Sequence, residues 1–296
     1  MERPDILCIG SVLWDVIGRT AVAMRIGMDL PGRITRVPGG VALNIAMTLR
    51  RFGLRPALLS AVGRDAEGDE LIAACRGLGL AMDAVYLSDD LPTDRYMAVE
   101  GGNGLVAAIA DAHSLEAAGA RILQPLRNGI FGTEGEPWSG PVALDGNLTE
   151  QLLAEIARSP LFERADLRIA PASPGKAGRL VPLLGHPRAT FYVNLEEAGL
   201  LTNTAPNDAR EAAMAMRRAG ATRVLVTDGG RSSCYAHGNA AVDAVPPLVM
   251  VSRVTGAGDT FMAAHIAAEL RGESAADALA TAVRSAAQYV AGGDHP

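Results

Sequence analysis

Short apolar runs closed by glycine or polar residues alternate along the chain with longer stretches whose apolar positions recur every three or four residues. Ile6-Leu7-Cys8-Ile9 is one such run, ended by Gly10, and it predicts a buried strand. Val41, Ile45, Leu49 and Phe52 share a helical face, and Gly53 stands where a glycine ends a helix, so a helix is predicted over 41–52. The same reading gives strands over 57–62, 142–144, 167–170, 191–193 and 223–227, and helices over 69–77 and 210–219. The stretches 259–270 and 275–289 are rich in Ala and apolar on most faces, which predicts buried helices. Strands separated by helices call for a mainly parallel sheet covered on both faces.

Two segments break this rhythm. Residues 15–37 have no clean helical period, and residues 93–110 read as two strands around the turn signal Gly101-Gly102-Asn103-Gly104. Together they predict a small β-element beside the main sheet, either a surface flap or a lid over a substrate site. Residues 128–140, rich in Gly and holding Pro137, predict a loop. No internal repeat or low-complexity linker interrupts the chain. The expectation is one domain over 1–296 with lid segments of about 15–37 and 93–111.

Composition narrows the function classes. Hydrophobic residues make up 49% of the 296, enough for a large core, while aromatics are only 4%, which favours helix-on-sheet packing. The 27 basic and 33 acidic residues give a net charge of −6 with no long run of one sign, which argues against a nucleic-acid partner held by a basic surface. Cys8, Cys75 and Cys234 lie far apart, and His113, His186, His237, His265 and His295 form no metal-ligand spacing. Neither a signal-peptide pattern nor a run of 18 apolar residues is present, so a cytoplasmic protein with no membrane partner is expected.

The strongest local signal is Val254-Thr255-Gly256-Ala257-Gly258-Asp259-Thr260-Phe261. Successive backbone N–H groups at such a turn, with a helix start behind them, form an anion site. A carboxylate there can accept a proton from a hydroxyl while the amides stabilise charge on a transferring phosphoryl group. Asp259 as a plain N-cap after a tight turn is the simpler alternative. No Gly-x-x-x-x-Gly-Lys-Ser/Thr loop is present, and no Gly-x-Gly-x-x-Gly follows the first strand.

On these residues the sequence resembles the ribokinase-like (PfkB) family of carbohydrate and nucleoside kinases, over nearly its whole length. Gly256-Ala257-Gly258-Asp259 looks like that family's C-terminal signature. The resemblance implies a three-layer α/β/α sandwich with a mainly parallel central sheet and a small β lid. It also implies ATP and Mg2+ as cofactors and a small sugar or nucleoside as substrate. It makes Asp259 the catalytic base and Gly256, Ala257 and Gly258 the anion hole. Gly10-Ser11-Val12-Leu13-Trp14-Asp15 looks like the family's first strand followed by a substrate-binding Asp, and Pro38-Gly39-Gly40-Val41-Ala42-Leu43-Asn44 like its Gly-Gly-x-x-x-Asn element. Asp15, Gly39, Gly40 and Asn44 are then substrate contacts, since glycines admit close backbone approach and Asp and Asn bond vicinal hydroxyls. An ordinary turn ahead of a helix is the other reading of Gly39-Gly40. Gly63, Asp65 and Gly68 extend this signature and are expected to serve a turn and helix start.

Asn194-Leu195-Glu196-Glu197 is similar to the family's Asn-x-x-Glu element, whose spacing selects Glu197 for the magnesium region and Asn194 beside it. A solvated acidic helix start is the alternative. Thr227-Asp228-Gly229-Gly230 looks like the nucleotide-contacting turn, with Thr227, Gly229 and Gly230 as its contacts. Arg253 departs from the family, in which many members carry an acidic residue at that point, and it leaves a monovalent-cation requirement open. Ala170-Pro171 and Tyr192-Val193-Asn194 also depart, near the phosphates. Within the family, residues 31–41, 59–65, 145–147 and 254–259 most resemble pseudouridine kinases, which implies a nucleoside 5′-hydroxyl as acceptor and lid residues Tyr96, Met97 and Ile109 near the base. Sugar kinases of the ribokinase and fructokinase type, other nucleoside kinases and a non-catalytic sugar- or nucleoside-binding regulator remain open alternatives. In some relatives lid strands pair between subunits, so a homodimer through the lid is a further expectation.

Overall fold

Four buried residues of the first strand show how the sheet is covered. Ile6 and Cys8 point to one apolar cluster, and Leu7 and Ile9 to another, as a strand with both faces buried requires. The computed structural model of the chain describes residues 3–293. Its strands, in chain order, are β1 (Ile6–Ile9), β2 (Leu13–Arg19), β3 (Arg33–Gly39), β4 (Pro56–Leu59), β5 (Ala61–Gly63), β6 (Tyr86–Ser88), β7 (Arg95–Gly101), β8 (Gly104–Asp111), β9 (Pro141–Asp145), β10 (Asp166–Ala170), β11 (Ala189–Asn194), β12 (Arg223–Thr227), β13 (Ser233–His237) and β14 (Ala240–Ala244). Its α-helices are α1 (Val41–Arg51), α2 (Ala66–Gly77), α3 (His113–Ala118), α4 (Glu150–Arg158), α5 (Leu195–Thr202), α6 (Ala209–Arg218), α7 (Ala257–Leu270) and α8 (Ala275–Val290).

The main sheet has eight strands in the order β14-β13-β12-β11-β10-β9-β1-β4. The six from β12 to β4 are parallel, and β13 and β14 add an antiparallel edge. Helices α1, α2, α7 and α8 cover one face, and α3 to α6 with 3-10 turns at Gly119–Leu126 and Pro174–Leu183 cover the other. The parallel strands therefore end together on one rim, where open α/β sheets place their ligands. Cys8, Cys75 and Cys234 are buried free thiols.

The structure departs from the sequence pattern in places. The strand expected over 57–62 breaks at Ser60: β4 continues the main sheet beside β1, while β5 leaves to pair with β6. The helix expected from residue 69 begins at Ala66. Asp65 caps it by accepting the Gly68 N–H at 2.7 Å, and the same carboxylate accepts the Thr93 N–H and hydroxyl. Helix α7 begins at Ala257, two residues before Asp259, and its N-cap is Gly256. Asp259 is thus a first-turn residue, not the cap. Strands β13 and β14 and helices α3, α4 and α5 are short or lack a clear period and were not legible in the pattern.

A second sheet, β3-β2-β7-β8, stands beside the main one. Asn103, at the turn between β7 and β8, ties it to the 20–32 loop by accepting from the Met24 N–H and donating to the Met24 carbonyl. Its register puts Val37, Asp15, Tyr96 and Ala110 in one row, and Arg36, Val16, Met97 and Ile109 in the next. Adjacent rows face opposite ways. Asp15 therefore follows the first strand and lies within β2 of this second sheet. Tyr96 shares its face, whereas Met97 and Ile109 point away from it.

Candidate active site

The site is assembled around a buried carboxylate at the end of β9. Asp145, 1% exposed, accepts the Ser11 N–H at 2.7 Å, the Ser11 hydroxyl at 2.8 Å, the Ala42 N–H at 3.1 Å and the Asn147 N–H at 2.6 Å. These bonds fasten the chain after β1, the first turn of α1 and the loop after β9 to one point. Ser11 completes the joint: its hydroxyl oxygen accepts the Val41 N–H at 2.8 Å and the Asn147 side-chain amide at 2.9 Å. Gly39 and Gly40 lie where β3 enters α1. A methyl group at Gly39 would overlap the Asp15 carboxylate, and Gly40 caps α1 at φ 102°. The glycine pair so serves both a close approach to Asp15 and the turn into the helix.

With α1 fixed, Asn44 in its first turns reaches across to α7 and donates to the Asp259 carboxylate at 2.9 Å. This contact joins residues 215 apart in sequence. Burial pushes the Asp259 carboxyl up to about 7; the Asn44 bond opposes that, and the charges of Asp145, Asp15 and Glu197 add to it. Asp15 is raised to about 6 and Glu197 to about 7, both chiefly by burial. The Asp259 carboxyl thus shares its electrostatic neighbourhood with three other carboxylates, whose charges raise it further. Tyr96 feels Asp15 as well: burial first, then that charge, raises its phenol.

The amides of the α7 turn point the other way in charge. Among the described residues, the Gly256, Gly258 and Asp259 N–H groups have no hydrogen-bond partner, while the Ala257 N–H is spent on the Val254 carbonyl at 3.0 Å. Of the four-residue signature, Gly256 and Gly258 are therefore the amides open to an anion, with that of Asp259 itself. A helix N-terminus with open amides beside a carboxylate near neutrality can take an anionic group and a proton at once.

At the ends of β11 and β12 a cleft of about 900 Å³ is lined by Asn194, Leu195, Glu196, Gly199, Leu200, Thr227, Asp228 and Gly229, among others, and by no residue of the α7 turn. Asn194 and Glu197 form a capping box: Glu197 donates its N–H to the Asn194 side chain at 2.9 Å, and its carboxylate accepts the Asn194 N–H at 2.8 Å. Glu196 is exposed and Glu197 buried, so the two fill different roles. One Glu197 oxygen is committed to the cap and the other is left for water, a donor set that suits a hard cation keeping most of its own waters. No group of three or more metal-ligating side chains stands among the described residues, and His295 lies outside them. Gly229, at φ 55°, turns the chain after β12, and Arg231 closes that turn through Asp228. Gly230 does not line the cleft.

Several residues escaped the sequence reading as parts of the site. Asp145, Ser11 and Asn147 hold it together. Lys176 donates to the Asn147 side chain at 2.6 Å, and Arg179 bonds the Asn147 carbonyl and Glu116. Lys176 is half-buried, with its ammonium lowered chiefly by burial. A carboxylate closing an apolar strand, as in Pro141-Val142-Ala143-Leu144-Asp145, was the available signal for the first of these.

Comparison with known proteins places this geometry. The family model described as pfkB family carbohydrate kinase matches residues 3–293. The pseudouridine kinase of Escherichia coli (strain K12) is 29% identical over 272 residues, covering 88% of this chain and 82% of that protein. A carbohydrate kinase from Agrobacterium tumefaciens superposes with a TM-score of 0.78 at 27% identity, covering 95% of this chain and 89% of that one. The ribokinase of Arabidopsis thaliana, solved with ribose and ATP, superposes with a TM-score of 0.76 at 20% identity over 97% of this chain and 93% of its own.

The raised carboxyl of Asp259 has a consequence for stability. The folded state holds its proton more tightly than the unfolded chain does, so ionising it costs stability as pH rises from about 4 through about 7. Asp259→Asn removes that cost. The variant is expected to be more stable than the wild type at pH 8, by about 1–3 kcal/mol after allowance for solvent screening, with the difference vanishing near pH 4. Urea melts at the two pH values check this; a variant less stable at pH 8 would contradict it.

Proposed function

The chain belongs to the pfkB family of carbohydrate kinases, and from that premise we propose that it transfers the γ-phosphoryl group of ATP to the hydroxymethyl group of a nucleoside, with pseudouridine as the preferred acceptor. The observation that carries the reading is the Asn44–Asp259 contact: it joins α1 to a carboxyl that burial raises to about 7, at the open amides of α7. Asp259 accepts the hydroxyl proton as the acceptor oxygen attacks the γ-phosphorus, and the bond from that phosphorus to the bridging oxygen breaks. The Gly256 and Gly258 amides stabilise the charge on the moving phosphoryl oxygens. Asp15 and Asn44 orient the acceptor through its hydroxyls. Asn194, Thr227 and Gly229 contact the nucleotide, and Glu197 with Asn194 would hold magnesium through water. Magnesium, when bound, neutralises phosphate charge. A kinase spending ATP in this way belongs in the cytoplasm.

The nucleoside preference draws on the second sheet as well as on the Escherichia coli relative. The face that carries Asp15 and Tyr96 also carries Val37 and Ala110 in their row and Thr35, Ile17, Ala98 and Ala108 two residues on. Ala98, Ala108 and Ala110 beside the Tyr96 ring leave room for a base above the sugar, and this sheet acts as the lid. Its other face presents Ile34, Met97 and Ile109, exposed by 77%, 46% and 62%. That apolar face is where a second copy of the chain docks. Met97→Asp is expected to convert a dimer to a monomer in sedimentation; a wild type that is already monomeric would remove the dimer.

ADP release with Mg-ATP across pseudouridine, uridine, adenosine, ribose, fructose and 2-keto-3-deoxygluconate tests the function. Selective turnover of pseudouridine is expected. Turnover of a simple sugar alone would keep the mechanism and overturn the acceptor. Binding without turnover across the panel would favour a regulatory, non-catalytic protein.

A further inference from the structure

The segment leading into the α7 turn is held from behind by residues the reaction scheme leaves unused. Arg253 donates to the Tyr289 carbonyl at 2.8 Å and to the Gly293 carbonyl at 3.0 Å. Its guanidinium carbon lies 3.9 Å from the centre of the Tyr289 ring. The Tyr289 hydroxyl donates in turn to the Thr255 carbonyl at 2.8 Å. The backbone follows the same path: Ser252 and Arg253 donate their N–H groups to the Val290 carbonyl at 2.9 and 3.2 Å. Gly256 comes next, at φ 88°, and a Cβ there would sit 2.5 Å from the Tyr289 oxygen. The ring and hydroxyl thus press on the peptide that caps α7, one turn from Asp259.

The chemistry of this contact is that of a cation on a helix C-terminus. The closing carbonyls of α8 carry the negative end of its dipole, and a planar guanidinium with a fixed donor fork satisfies them while stacking on an aromatic ring. The same carbonyl oxygens are the ligands a free monovalent cation would need, and a permanent positive charge already on them repels one. Tyr289 senses both ends of the arrangement: burial chiefly raises its phenol, with Arg253 opposing and Asp259 adding to the rise.

We propose that Arg253 is a positioning residue whose guanidinium, through Tyr289, clamps residues 254–258 to the end of α8, taking the place of a bound monovalent cation and holding the α7 amides and Asp259 in line for transfer. Its effect on rate rests on the kinase reading; its effect on the turn does not. A displacement of the turn by a fraction of an ångström to one ångström costs about 10²-fold in rate when positioning carries the reaction.

Hydrogen–deuterium exchange of the Ala257 and Thr260 amides, which the turn holds in hydrogen bonds, and steady-state kinetics, on wild type and Arg253→Ala, test the clamp together. Arg253→Ala is expected to speed exchange in the turn by about tenfold or more while strands β1 and β9 stay protected. It is also expected to lower kcat by about 10²-fold with acceptor KM held within about twofold, and added guanidinium is expected to restore part of the rate. Wild-type rate is expected to be the same in potassium and in choline salts. Should Arg253→Ala fail to fold, Arg253→Lys, which keeps the charge and loses the fork, is expected to show the same changes in smaller measure. Unchanged exchange in the turn overturns the clamp whatever the rate does. Stimulation of the wild type by potassium overturns the substitution for a cation. A wild type with no turnover on any acceptor would fail the kinase reading alone, and exchange would still decide the clamp.

Discussion

The Asp145 carboxylate is the constraint on which the rest of the site depends. A charge placed at the end of a buried strand is costly unless every lone pair finds a donor, and here Ser11, Ala42 and Asn147 supply four. Those donors come from three separate crossings of the sheet, so satisfying one anion fixes the relative position of β1, β9 and α1. Once the first turn of α1 is fixed, Asn44 has a defined reach, and Asp259 on α7 is what it touches. The carboxylate does not act on a substrate in this account. It determines where the groups that do so must stand.

Charge is then balanced across the rim rather than within single pairs. Asp15, Asp145, Glu197 and Asp259 are all raised by burial, and the charges of the first three raise Asp259 further. The open amides of α7 stand against them, Lys176 bonds the Asn147 side chain, and Arg253 sits on the far side of the turn. The Asp259 carboxyl is thereby held near neutrality, where a carboxyl can take and return a proton at little cost.

Much of the fold was legible because buried parallel strands and helices leave strong signatures. The runs at Ile6–Ile9 and Arg223–Thr227 and the periodic stretch of α1 sit where the pattern put them. The Gly256-to-Asp259 run announced an anion site on physical grounds, and the family resemblance gave it a direction. What stayed hidden depends on distant contacts. Ser60 looks like the middle of a strand, and only the partner of β5 shows that the chain changes sheets there. Met97 and Ile109 looked like neighbours of the substrate, yet the register with Asp15 turns them to the opposite face. Asp145 was visible as a carboxylate closing an apolar strand, but its role as the joint was hidden, because its Ser11 and Ala42 partners are 134 and 103 residues away. Arg253 was legible as a departure and the helix it grips as a buried helix over 275–289, while the contact between them was not.

The claim at the centre is that Asp259 removes the acceptor's proton. The most direct measurement is turnover and acceptor binding of Asp259→Asn side by side with the wild type, which keeps the Asn44 contact and removes only the base. The account predicts a fall in kcat of about 10²–10⁴-fold, the usual contribution of general-base catalysis, with acceptor affinity retained. Turnover within a few-fold of the wild type, measured on folded variant, would contradict it.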